Sequence, residues 1–151
     1  MVDRCGSMIV NDVDDEVSAA SSDSLNLLKD NSDSMTVEAW IRLDEPSEDE
    51  GTIPQFLFGQ FLSDSFGYQL SIGAGGTVVL NLPGGVSEGT SSDHPLQPEQ
   101  WHHVMLSYNG ENWYILIDGS EVLSHRRTTS LNTVGLPFWI GADPGESAYN
   151  F

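Results

Sequence analysis

The chain has 151 residues, a hydrophobic share of 38%, a mean hydropathy of −0.23 and a formal net charge of −18, with 23 acidic side chains against five basic ones. Phosphate backbones and anionic lipid surfaces are held by clustered Lys and Arg, so this balance argues against nucleic acid and against anionic membrane surfaces; no run approaches the ~20 apolar residues that span a bilayer. A single domain over residues 1–151 can bury about 70% of its unfolded surface, enough for a core without disulfide or metal, and Cys5 has no second cysteine to pair with.

The excess of acid leaves three readings: a solvated surface that keeps the domain soluble, adaptation to salt, and cation binding. At the start, Met1-Val2-Asp3-Arg4-Cys5-Gly6 has no apolar signal-peptide core. Either a leader has been removed, or the chain is a piece of a longer protein.

From there, strand signals recur with turn signals between them, and no long helical period appears. Met35, Val37, Ala39, Ile41 and Leu43 alternate on one face of a strand; Thr36, Glu38, Trp40 and Arg42 take the other. Gln55–Phe61 and Gly67–Ile72 read as strands, the latter turning through Gly73-Ala74-Gly75-Gly76 into Thr77–Leu82. Trp101–Leu123 reads as three strands joined at Asn109-Gly110 and Asp118-Gly119, dipeptides that adopt positive φ at low cost and so mark hairpin turns. Pro137–Gly141 is another short apolar strand, while Glu45–Gly51, Pro83–Gln100 and Arg126–Leu136 are loop-like in composition. Many short strands with regular turns point to an all-β fold, an antiparallel two-sheet β-sandwich or jelly roll.

Several of these blocks together resemble a known family. Asn11-Asp12-Val13-Asp14-Asp15-Glu16-Val17, Ser24-Leu25-Asn26-Leu27 and Met35–Ile41 are similar to the opening of laminin-G-like jelly-roll domains. These belong to the concanavalin A-like lectin/glucanase superfamily, which includes the pentraxins. Trp101-His102-His103-Val104, Tyr108-Asn109-Gly110, Tyr114–Gly119 and Ile140-Gly141-Ala142-Asp143 match the later blocks in order. Family members continue past the position of Phe151 into a strand that pairs beside the first. The resemblance therefore implies an uncovered sheet edge here, and an uncovered edge is prone to strand exchange or homodimerisation.

Catalysis finds little support. The superfamily's glucanases carry alternating carboxylates on one strand face, flanking the glycosidic bond. Glu48-Asp49-Glu50 is contiguous, beside Pro46 and Gly51, and reads as a solvated loop. His102 and His103 fall on opposite strand faces and cannot easily share an ion; within the family block the second imidazole is expected to be packed and hydrogen-bonded. His94 and His125 have no spacing that links them, no zinc pattern or nucleophile elbow occurs, and Cys5 has no partner base.

Calcium is the sharper possibility. Hard cations gather oxygens from several loops, and the pentraxin-like positions carry over to Asp64, to Asp143 with Glu146, and to Asn150. The run Asp143-Pro144-Gly145-Glu146 departs from the pentraxin pattern, and Asp and Gly also fill turns for backbone reasons alone. Asp14-Asp15 is a second candidate, better placed to cap the turn after the first strand. Carbohydrate sites need exposed aromatic platforms, and Trp40, Trp113, Tyr114, Trp139 and Tyr149 are available; strand aromatics are mostly core. Trp40, sharing its face with Glu38 and Arg42, and Tyr149, beside the ion loop, are the best ligand-binding candidates.

The sequence thus points to a non-catalytic, extracellular or cell-surface recognition module for glycan or extracellular protein, assisted by calcium. One alternative is an accessory domain of a larger secreted carbohydrate-active enzyme. Another is a structural or assembly domain without ligand.

Overall fold

The alternation in Met35–Leu43 is realised as strand β2 (Met35–Arg42), its apolar residues turned inward and Thr36, Glu38, Trp40 and Arg42 outward. In this computed structural model the described residues are 17–23, 25, 26, 28, 34–44, 55–62, 65–82, 86–90, 93–126, 133 and 135–141. Their other strands are β1 (Val17–Ala19), β3 (Gln55–Leu62), β4 (Ser65–Ile72), β5 (Val78–Leu82), β6 (Val86–Thr90), β7 (Trp101–Tyr108), β8 (Asn112–Ile117), β9 (Ser120–Arg126) and β10 (Phe138–Ile140). A 3-10 turn at Ala74–Gly76 links β4 to β5.

The strands form two antiparallel sheets, a six-stranded one in the order β1-β10-β3-β4-β5-β6 and a four-stranded one in the order β2-β7-β8-β9. This is the β-sandwich read from the sequence, with the ends of the expected strands kept within three residues. β1 follows Asp14-Asp15, which lie outside the described residues. Its edge away from β10 carries no strand among the described residues.

Between the sheets, Phe58, Tyr68, Leu70, Val78 and Leu80 of one face Val104, Leu106, Tyr108, Trp113 and Ile115 of the other. Trp113 is fully buried, stacked on Tyr108 at 4.6 Å and tilted against Tyr68 at 5.7 Å between ring centroids. Offset and tilted pairs of this kind add to the area that the rings remove from water. Burial pushes the Tyr68 phenol well above its usual pKa, because the charged form would lose its hydration.

Three details correct the sequence reading. β6 is a strand inside the stretch Pro83–Gln100, taken above as loop; pairing with β5 forms it where composition gave only turn signals. Arg126 ends β9 rather than opening a loop, because it pairs with Asn112. The first hairpin turn of the meander is centred one residue later than Asn109-Gly110. Asn109 N–H donates to the Asn112 carbonyl at 3.2 Å, which leaves Gly110 and Glu111 at the tip, with Gly110 at φ 92°. Asn109 instead serves as a brace, its Oδ1 accepting the N–H groups of Glu111 at 3.0 Å and Asn112 at 2.8 Å. The second turn lies where expected, with Asp118 at φ 51° and Gly119 at φ 80°.

Candidate functional site

The register of β2 against β7 aligns two rows of outward side chains. Thr36 pairs with Ser107, Glu38 with Met105, Trp40 with His103, and Arg42 with Trp101. Trp40 and Trp101 are therefore diagonal neighbours on one face, close enough in such a ladder for large rings to act together. Both are exposed, at 66% and 54%. Tryptophan is highly buried on average, so two adjacent exposed indoles are the informative departure.

The platform is braced from within the sheet. His103 stands beside Trp40, with ring centroids 5.2 Å apart and the planes tilted by 44°. Its Nε2 lies 3.4 Å from Glu38 Oε2. At one end of the face, Thr36 and Ser107 share a hydroxyl–hydroxyl bond of 3.0 Å, and Ser107 also donates to the Met35 carbonyl at 3.3 Å. Tyr114 extends the face onto β8, opposite Ser107, and accepts a bond from the Asn109 amide at 3.3 Å. Apolar ring faces rimmed by hydroxyls, a carboxylate and an imidazole can stack on the C–H face of a sugar and bond its hydroxyls.

A second cluster lies where β7 meets the β8–β9 turn, lining an open cleft of about 390 Å³ with Asp93, His94, Gln97 and Ser120. His102 Nδ1 is 2.7 Å from Asp118 Oδ2, and the Gln97 backbone N–H donates to His102 Nε2 at 2.9 Å. A ring nitrogen that accepts is unprotonated, so the Nδ1 proton is the one given to Asp118. The second Asp118 oxygen accepts the His103 backbone N–H at 2.9 Å. The bond from His102, and after it the one from the His103 backbone, holds the Asp118 carboxyl below the usual carboxylate range.

This His–Asp pair has the composition of a catalytic dyad but not its free valence. The nitrogen that would take a proton from a nucleophile is occupied by a backbone donor, so the pair is a latch. It fixes the Asp118-Gly119 turn against the segment around Gln97.

The two histidines thus occupy opposite faces as expected, but with roles exchanged. The packed, doubly bonded imidazole belongs to His102, whereas that of His103 reaches the outer face. Trp40 is exposed, as its company suggested, and Trp113 is core. Tyr149, Asp64, Asp143, Glu146 and Asn150 lie outside the described residues. Among the described residues no group of three His, Cys, Asp or Glu is placed to hold a metal ion. Trp101 was missed as a platform residue. Parity contained the signal: with Val104, Leu106 and Tyr108 inward, Trp101 and His103 must face outward.

A family model described as the concanavalin A-like lectin/glucanases superfamily, of laminin-G type, matches residues 11–151. No curated protein matches the chain in sequence. Similar solved structures include domain 4 of AbnA, an extracellular family-43 arabinanase from Geobacillus stearothermophilus, in complex with arabinotriose; it is 16% identical, with a TM-score of 0.64 over 93% of this chain and 64% of that one. The binding domain of Paraclostridial mosquitocidal protein 1 is 16% identical, with a TM-score of 0.65 over 89% of this chain and 35% of that one. Mouse laminin α1 domains LG4-5 are 15% identical, with a TM-score of 0.61 over 85% of this chain and 32% of that one. The chain thus spans less than two thirds of each of these structures. At such identities the likeness is one of fold. Among the described residues no helix is long and apolar enough to cross a membrane.

Proposed function

We propose, from the premise that the chain belongs to the concanavalin A-like lectin/glucanase superfamily, that it is a non-catalytic module that recognises carbohydrate through the outer face of its four-stranded sheet. The observation that carries this reading is the pair of exposed, diagonal indoles of Trp40 and Trp101, with His103 and Glu38 beside them. The arabinotriose held by the similar arabinanase domain supports a sugar as the class of ligand, and that enzyme's extracellular setting supports the same for this chain.

The charge pattern favours a neutral glycan over a sulfated one. Arg42 lies 3.7 Å from Asp44, and Arg126 is paired with Glu111 at 2.6 Å. Both guanidiniums among the described residues thus have a carboxylate neighbour, and the net charge of −18 repels polyanions. The absence of turnover in this reading rests on the latched state of His102, whose Nε2 is already bonded.

A glycan array probed with and without calcium tests the reading. The expected result is binding to neutral glycans that Trp40→Ala or Trp101→Ala weakens about tenfold, in keeping with the loss of one aromatic contact. Binding confined to sulfated glycans, or unaffected by both substitutions, would overturn it.

Calcium assistance through Asp64, Asp143, Glu146 and Asn150, with Tyr149 as a further sugar contact, belongs to the same proposal. It predicts a rise in melting temperature with excess calcium that Asp143→Asn abolishes. An extracellular protein ligand and pairing of two copies through the β1 edge are the remaining readings. Light scattering decides the second: a concentration-dependent dimer supports it, and a monomer at all concentrations dismisses it.

A further inference from the structure

We infer, resting on the carbohydrate reading above, that the ligand is an extended neutral sugar chain laid along the strands rather than a single sugar. The Trp40–Trp101 pair grips one stretch of it. Thr36, Ser107 and Tyr114 form a second, polar subsite for another.

The path follows from register. Outward rungs between β2 and β7 run from Trp40–His103 through Glu38–Met105 to Thr36–Ser107, and continue onto β8 as Met105–Leu116 and Ser107–Tyr114. Directly paired residues share a face. Thr36, Glu38, Trp40 and Arg42 are all exposed, so the β2 side of this face is open along the whole strand. Met105 and Leu116 are half-buried and stand outside the core cluster, an apolar floor between the two ends. Thr36 lies four residues from Trp40 along β2, about 14 Å at the rise of a strand. One sugar ring cannot stack on Trp40 and also reach Thr36; a chain can.

The hydrogen-bonding capacity left at the far end is what sugar hydroxyls require. Ser107 Oγ donates to the Met35 carbonyl at 3.3 Å, so in its 3.0 Å contact with Thr36 the threonine is the donor. Thr36 Oγ1 therefore keeps lone pairs with which to accept. Asn109 Oδ1 is held by two backbone N–H groups, which turns the amide nitrogen toward Tyr114. The Tyr114 hydroxyl accepts from that nitrogen at 3.3 Å and keeps its own proton to donate. An acceptor and a donor thus flank Ser107 in one row. Between the two ends, Glu38 adds a carboxylate that is 58% exposed, an acceptor for a hydroxyl midway. Stacking and hydroxyl contacts are separate grips on one ligand, and they reinforce each other only when the chain spans both.

Calorimetric titration with arabino-, xylo-, cello- and manno-oligosaccharides, each as the disaccharide and the hexasaccharide, tests this. The proteins are the wild-type chain, Trp40→Ala, Thr36→Val and Tyr114→Phe; the last two keep the shape of the side chain and remove only its hydroxyl. The expected result is that, in at least one series, the wild-type chain binds the hexasaccharide at least about tenfold more tightly than the disaccharide. Thr36→Val and Tyr114→Phe should each narrow that ratio about fivefold at an unchanged melting temperature, whereas Trp40→Ala should weaken both lengths alike. Equal affinity for the two lengths, or a ratio that neither hydroxyl variant narrows, would overturn the extended path; if Trp40→Ala still weakens binding, the stacking site stands without it. No binding of any probe, or binding indifferent to Trp40→Ala, would instead overturn the carbohydrate reading itself.

Discussion

At the scale of single residues, parity along β7 decides which side chains serve the core and which face outward. Trp101 and His103 face out, while His102 is buried with both ring nitrogens bonded. Replacing His102 with Ala leaves the Gln97 N–H and one Asp118 oxygen without their partner. It should destabilise the domain by about 1–3 kcal/mol, read by urea unfolding. Asp118 adds a pH dependence with a definite sign. Its carboxyl is held low in the folded state, so its contribution is present above the unfolded carboxylate pKa and is lost as pH falls through the folded one. Asp118→Asn, which keeps the tolerance for positive φ, should flatten the acid limb of the stability profile and leave its neutral and alkaline arms in shape. An unaltered acid limb would show that the latch does not couple to protonation. The placement of Trp40 was legible in the sequence from its neighbours Glu38 and Arg42. The exchange of roles between the two histidines was legible too, yet a family expectation about the second imidazole outweighed the simpler alternation.

Among the elements, the meander β7–β8–β9 was readable because its apolar residues alternate cleanly and its turns carry Gly. Its first turn shifted by one residue because the Asn109 side chain forms two backbone bonds better than its backbone forms a left-handed turn. The tip rests on Gly110 at φ 92°, a conformation that a Cβ disfavours. Gly110→Ala should therefore cost about 1–2 kcal/mol, and Asn109→Ala about 1 kcal/mol through its lost bonds, both measured by thermal unfolding. β6 was not legible. A five-residue strand with Gly89 inside it has weak propensity of its own and exists because β5 offers a partner. Elements made by pairing rather than by local preference leave little trace in composition.

For the whole molecule, two sheets close over one apolar core, and the four-stranded sheet turns an exposed outer face to its surroundings. Trp113, fully buried between Tyr68 and Tyr108, joins the sheets; Trp113→Ala should cost about 3–5 kcal/mol and abolish cooperative unfolding before it affects any ligand. Trp40 and Trp101 are the counterpart, large apolar side chains that contribute little to the core and whose removal should leave stability within about 0.5 kcal/mol. The proposed function rests on that asymmetry, an exposed indole pair set outside the core. Calorimetric titration of the strongest neutral glycan from the array, into the wild-type chain and into the double variant Trp40→Ala, Trp101→Ala, tests it most directly. The account predicts saturable heat for the wild type and none for a double variant that melts at the same temperature. Equal heats from the two proteins, or no neutral glycan bound by the wild-type chain, would contradict it.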